Sequence, residues 1–142
     1  MPHMTSAQMD QVMDDHLAYE AAGDIEAVLS AFSDDADHEV VGLPGAPRRG
    51  KSDIRAFYEG LFTALKQDEV TPMRRHYGPD FIVDEATWTG EADGKLFGAE
   101  GRRGRVSYRL LHILEFRDGR IVRERVWKDT EAIRRQLLAP DG

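Results

Sequence analysis

The chain has no cysteine, which excludes disulfides and thiolate chemistry and fits a reducing compartment such as the cytoplasm. Long apolar runs are also missing. None approaches the ~20 residues that span a bilayer. No segment joins a basic start to an apolar core and a cleavage site, so no secretion signal is expected. Basic residues are absent from the first part of the chain: the first is Arg48, while Asp and Glu crowd the positions before it. The net charge of -7 argues against a general nucleic-acid binder.

What is present suits one globular domain. The 142 residues, 41% of them hydrophobic, can bury a core of their own. The leading Met1-Pro-His-Met4 is set aside, and the domain is placed at residues 5–138. Arginine concentrates between Arg102 and Arg135, opposite in sign to the start of the chain.

His112 is the most informative residue. It interrupts the strand-like run Val106–Phe116, whose alternating set is Val106, Tyr108, Leu110, His112, Leu114 and Phe116. Every second side chain of a strand shares a face. An imidazole among apolar side chains needs a partner, a ligand or a reaction, because burying an unpartnered polar group costs roughly 2–7 kcal/mol. The plain alternative is a hydrogen-bonded core histidine.

Periodicity and breakers organise the rest. Helices are predicted from Thr5 to Ala22 and from Ile25 to Phe32, separated by Gly23. A short strand covers Asp37 to Val41, and Gly42 to Gly50 reads as a loop. A third helix starts at Ser52 and Asp53, with Ile54, Phe57, Tyr58, Leu61, Phe62 and Leu65 on its apolar face. Strands are predicted at about 70–77, 81–90, 95–98, 105–117 and 120–128, and a last helix from Thr130 to Leu138. Helices first and antiparallel strands after give an α+β domain. A strongly bent sheet packed on three N-terminal helices would leave a cone-shaped cavity suited to a small molecule.

One motif is refused. Gly45 to Ser52 matches the phosphate-loop pattern G-x-x-x-x-G-K-[ST] in every letter. That chemistry needs backbone amides around phosphates, and Pro47 removes one. It also needs alternating strands and helices, which do not follow.

The order and spacing of several segments resemble the nuclear-transport-factor-2-like superfamily. They are Ala22-Gly23-Asp24, Phe32-Ser-Asp-Asp-Ala36 and Gly50-Lys-Ser-Asp-Ile-Arg-Ala-Phe-Tyr58. The stretch from His112 through Trp127-Lys-Asp129 is most similar to the SnoaL-like polyketide cyclases. The resemblance implies a cone fold and intramolecular aldol chemistry without a metal. It implies a histidine on the long strand, at His112, and an aspartate on the last strand, where this chain has Val126. Asp129 matches a family aspartate that is not the catalytic one. The ketosteroid isomerases of the same fold place a tyrosine at His16, a protonated aspartate at His112 and the general base at Val40. An epoxide-hydrolase trio would fall on Thr87, Glu85 and Val126.

His112, His16 and Glu124 are therefore the expected catalytic residues. His38, Val40, Tyr58, Tyr108, Leu110 and Val126 are the expected substrate-binding residues. Glu124 would be the replacement acid if the Arg117-Asp118-Gly119 turn carries a glycine bulge. His112 would then pair with position 124, with Val122, Glu124 and Val126 facing the cavity and Ile121, Arg123 and Arg125 facing away. A plain Asp-Gly turn would reverse this. His76 reads as surface, and Trp88 and Trp127 as packing. The Gly101–Arg105 stretch reads as a solvated basic hairpin loop. No histidine spacing supports a metal site, and no cofactor is expected. The expected partners are an apolar small molecule and a second copy of the chain, docked through Leu111, Ile113 and Ile121 on the outer sheet face.

Overall fold

The computed structural model describes residues 3–45 and 47–140. The opening helix α1 (Ser6–Ala22) starts with a reciprocal cap between Thr5 and Gln8 and ends at Gly23, whose φ of 67° is the left-handed stop. Helix α2 (Ile25–Ser30) is capped by Asp24. Strand β1 (Phe32–Val41) follows at once, so Phe32 begins a strand rather than ending a helix. The expected loop holds a two-residue strand β2 (Arg48–Arg49) paired with β1. Then come α3 (Lys51–Ala64), β3 (Leu65–Gly78), β4 (Phe81–Asp93), β5 (Arg103–Arg117), β6 (Arg120–Lys128) and α4 (Thr130–Leu138).

The six strands form one sheet in the order β2-β1-β6-β5-β4-β3. Its pairs are antiparallel except β1 with β6, which run parallel. Inward alternation is clean along β4 and β5. Their inner faces join Met9, Met13, Ile54, Tyr58 and Leu61 of the helices in the core. Sheet curvature shows where β3 crosses β4. A Cβ on Gly90 would stand 2.2 Å from the Lys66 carbonyl oxygen, so only glycine permits that approach. β6 stops at Lys128, and Gln136 of α4 takes over the backbone it leaves on β5, bonding both the amide and the carbonyl of Ser107.

Leu65, expected on the third helix, instead starts β3, and two further predicted features change. The strand expected at 95–98 is a 3₁₀ turn, Gly94–Phe97. Asp93 caps Lys95, and Gly94 presses against Ala99 too closely for a side chain. The β5–β6 hairpin is the other. Asp118 and Gly119, with φ of 53° and 79°, make a plain two-residue turn pairing Arg117 with Arg120. The bulge comes just after it, where Phe116 pairs with Ile121 and Glu115 with Arg123. Val122 is the extra residue, and it flips the alternation. Hence Ile121 is inside above the bulge, and Glu124 and Val126 are inside below it. Ile121 therefore does not belong to the outer face. His112 pairs with Val126, not with position 124.

The phosphate-loop match is dispersed in the fold, although Ala46 lies outside the described residues. Arg48 and Arg49 are sheet residues, and Lys51 faces Asp34 at 3.6 Å. The oppositely charged ends of the chain meet in part: Arg117 pairs with Asp35 and Arg123 with Asp37. Arg103 of the basic loop pairs with Glu91 and Asp93, and Arg105 with Asp68. Among the described residues no helix is long and apolar enough to cross a membrane.

Candidate active site

The sheet register builds a polar cluster inside an apolar core. Val126 pairs with Val40 on one side and His112 on the other. Two residues earlier on the same face, Glu124 pairs with His38 and with Leu114. On the other side of β5, Asp84 stands directly opposite His112. Helix α1 adds His16 from above and α3 adds Tyr58. His16, His38, Asp84, His112 and Glu124 are all buried.

Glu124 is the hub. Tyr58 donates its hydroxyl to Oε1 at 2.9 Å, and His38 Nε2 lies 3.0 Å from the same oxygen. His16 Nε2 lies 2.7 Å from Oε2 and 3.3 Å from Glu20 Oε1, so its charge is shared by two carboxylates. Burial alone would depress His16, but Glu124 and then Glu20 outweigh it and raise its pKa to about 9. Burial alone would raise Glu124, yet His16 and then His38 hold its carboxyl well below the usual range.

His112 has no such partners. Its Nδ1 is 3.9 Å from Asp84 Oδ2 and its Nε2 is 3.9 Å from Glu124 Oε2, both beyond hydrogen-bond length. Nδ1 has no hydrogen-bond partner among the described residues. Burial lowers its pKa to about 3 despite the opposing pull of Glu124, so the ring is neutral. Asp84 is held from behind. Arg75 donates to its Oδ1 at 2.8 Å and also binds Asp10 and Asp14. Burial nevertheless leaves the Asp84 carboxyl raised.

His112 borders a cavity of about 360 Å³ between the sheet and the ends of α1 and α3. All six expected substrate-binding residues line it: His38, Val40, Tyr58, Tyr108, Leu110 and Val126. Trp88 is both packing and wall, stacked on Tyr108 at 5.1 Å between ring centres. His16 and Glu124 are not wall residues. His76 is exposed.

His16, His112 and Glu124 place ligand-type atoms within 4.8 Å of one another. Two ligands of one tetrahedral ion stand about 3.3 Å apart, and His16 and Glu124 are closer at 2.7 Å. As built they neutralise each other.

Three polar residues were missed in the sequence. Asp84 shares strand parity with Trp88, which would have turned it inward once 81–90 was placed beside β5. Glu20 lies one helical turn after His16, and Lys128 two residues after Val126. Both line the cavity. Burial raises the Glu20 carboxyl, with His16 opposing, and lowers the Lys128 amine.

Comparison with known proteins agrees with this architecture. The SnoaL-like domain family matches residues 13–124. No curated protein matches the sequence. Among solved structures, a candidate SnoaL-like polyketide cyclase from Jannaschia sp. CCS1 superposes with a TM-score of 0.75 at 19% identity, over 93% of this chain and 94% of that one. A Mycobacterium tuberculosis LEH-like epoxide hydrolase gives 0.71 at 21%, covering 93% and 90%. A Catenulispora acidiphila protein of ketosteroid isomerase-like fold, in complex with trimethylamine, gives 0.75 at 15%, covering 91% and 93%. At these identities the likeness establishes the fold, which is the NTF2-like cone.

Proposed function

The chain belongs to the SnoaL-like domain family, and from that premise we propose that it is a small-molecule enzyme of proton-transfer chemistry. The reaction is an aldol cyclisation, isomerisation or dehydration of an apolar polyketide-like or terpenoid-like substrate, without a bound cofactor. The observation that carries this reading is His112: a buried, neutral imidazole with an unpartnered nitrogen, on the wall of an aromatic cavity. A neutral ring can accept a substrate proton or donate a hydrogen bond. Asp84 and Glu124, each 3.9 Å away, would stabilise the imidazolium formed on accepting one.

The test is His112→Leu. Removing a desolvated, unpaired polar group should keep or raise the melting temperature. Affinity for ligands found by native mass spectrometry against polyketide and terpenoid mixtures should fall by about 1 kcal/mol, one hydrogen bond. Lost stability with unchanged affinity would make His112 a structural residue and end the reading.

A second reading, a ligand-binding protein without turnover, is favoured by Val40 and Val126, apolar where related enzymes carry acid–base groups. A pH–rate profile on a bound ligand separates the two. Pairing of two chains through the outer face rests on Leu111 and Ile113, both half-buried in the single chain. Sedimentation showing only monomer at micromolar concentration would remove it.

A further inference from the structure

The reading above leaves His112, which burial holds neutral, as a weak proton acceptor, because the family positions hold valines and Glu124 is off the cavity wall. Glu20 is different. It lines the cavity, its side chain is 15% exposed, and its Oε1 touches His16 Nε2 at 3.3 Å. His16 in turn touches Glu124. The carboxylate thus stands where the buried network meets the cavity. Lys128 lines the same cavity, with its Nζ 6.0 Å from the centre of the Tyr108 ring. No carboxylate lies within ion-pairing distance of that amine among the described residues. A half-buried ammonium with no salt bridge, facing an aromatic cavity, is suited to hold an anionic oxygen.

We propose that Glu20 and Lys128 form the proton-transfer pair of this site, and that its substrates are enolisable ketones with an apolar body. This rests on the reading above and names its base and substrate class. The Glu20 carboxylate removes a proton from the carbon beside the carbonyl. The C–H electron pair moves to the carbonyl oxygen, giving an enolate beside the Lys128 ammonium. The Glu20 carboxyl then returns the proton to carbon, so no other reactant is consumed. Burial favours the protonated form of Glu20 and so strengthens it as a base. His16, on the same helix, returns part of that shift, and Tyr58, Tyr108, His38, Glu124 and Lys128 are the other ionisable groups around it.

Two probes test this with the whole protein. 2-Tetralone in D₂O reports proton abstraction by NMR, and 2-naphthol binding, followed by fluorescence, reports the oxyanion site. Wild-type protein should exchange the hydrogens next to the tetralone carbonyl faster than buffer does. Glu20→Gln should slow exchange roughly 100-fold, the scale of general base catalysis, and should bind naphtholate more tightly, since a negative charge is removed. Lys128→Met should weaken naphthol binding roughly tenfold, the scale of one charged hydrogen bond. Glu20→Asp keeps the carboxylate but withdraws it, and should exchange at an intermediate rate. If Glu20→Gln exchanges like wild type, or Lys128→Met binds naphthol like wild type, the pair is wrong. The broader reading then stands where His112→Leu still weakens binding. A wild type that neither binds naphthol nor exchanges tetralone overturns the pair, while the broader reading is decided separately by His112→Leu.

Discussion

Glu124 and His112 are neighbours on one inner face, equally hidden from water, and oppositely treated by the fold. Glu124 has three partners within 3.0 Å. His112 has two carboxylates at 3.9 Å and an unpartnered Nδ1. Burial costs both groups, yet only Glu124 is compensated, by the ion pair of Oε2 with His16 and the contacts of Tyr58 and His38 with Oε1. The compensated one holds the architecture, tying α1, α3, β1 and β6 to a single carboxylate. The uncompensated one sits on the cavity wall, where a ligand can supply what the protein withholds. Two equally buried polar groups thus differ in how far the protein itself pairs them.

The contrast breaks most visibly at the hub. Glu124→Leu should strand His16, His38 and Tyr58 in the core and destabilise the fold by about 3–5 kcal/mol, as when one partner of a buried pair is lost. Urea denaturation measures it. A loss below about 1 kcal/mol, the size of an ordinary hydrogen bond, would show that the hub is not structural. His112→Leu should show no such loss, and the opposite signs of the two variants are the core of the comparison.

The pH dependence of stability sharpens it further. His16 is protonated in the fold up to about pH 9, against an ordinary 6.5. Its contribution is complete below pH 6.5 and is lost as pH rises through about 9. His112 is depressed from 6.5 to about 3, so the unfolded chain binds the extra proton between those values. Its contribution is complete above pH 6.5 and is lost as pH falls towards 3, where the depressed Glu124 adds a second loss below about 4.5. The melting temperature should therefore peak near pH 6.5. His16→Leu should flatten the alkaline limb and His112→Leu should make the acid limb shallower. A wild-type profile still rising from pH 7 to pH 9 would contradict the assignment.

The smallest effect is expected far from both. Lys51→Ala removes an exposed ion pair with Asp34, so melting temperature should stay within error. ATP or GTP at micromolar concentration should bind neither wild type nor variant. Nucleotide binding that disappears in Lys51→Ala would restore the phosphate-loop reading.

Alternation and spacing alone made His112 an inward residue of a long strand. They also placed α1, α3 and α4 to within a residue or two of their ends, since a 3.6-residue or two-residue period is a local property of the chain. The cavity wall from Val40 to Val126 was legible through the resemblance and strand parity together. The side of the sheet that Glu124 occupies was not. It depends on one extra residue, Val122, and on a turn that by itself would have put Glu124 outside. Ile121 was misplaced for the same reason.

Asp84, Glu20 and Lys128 carry no motif, and each is chemically ordinary in its own segment. Only the tertiary structure sets Asp84 across from His112, Glu20 against His16 and Lys128 on the cavity wall. The sequence by itself determined which segments fold and which faces turn inward, because those follow from periodicity. Which charges meet was decided by register, bulge and sheet curvature, because a carboxylate's environment depends on residues far away in the chain.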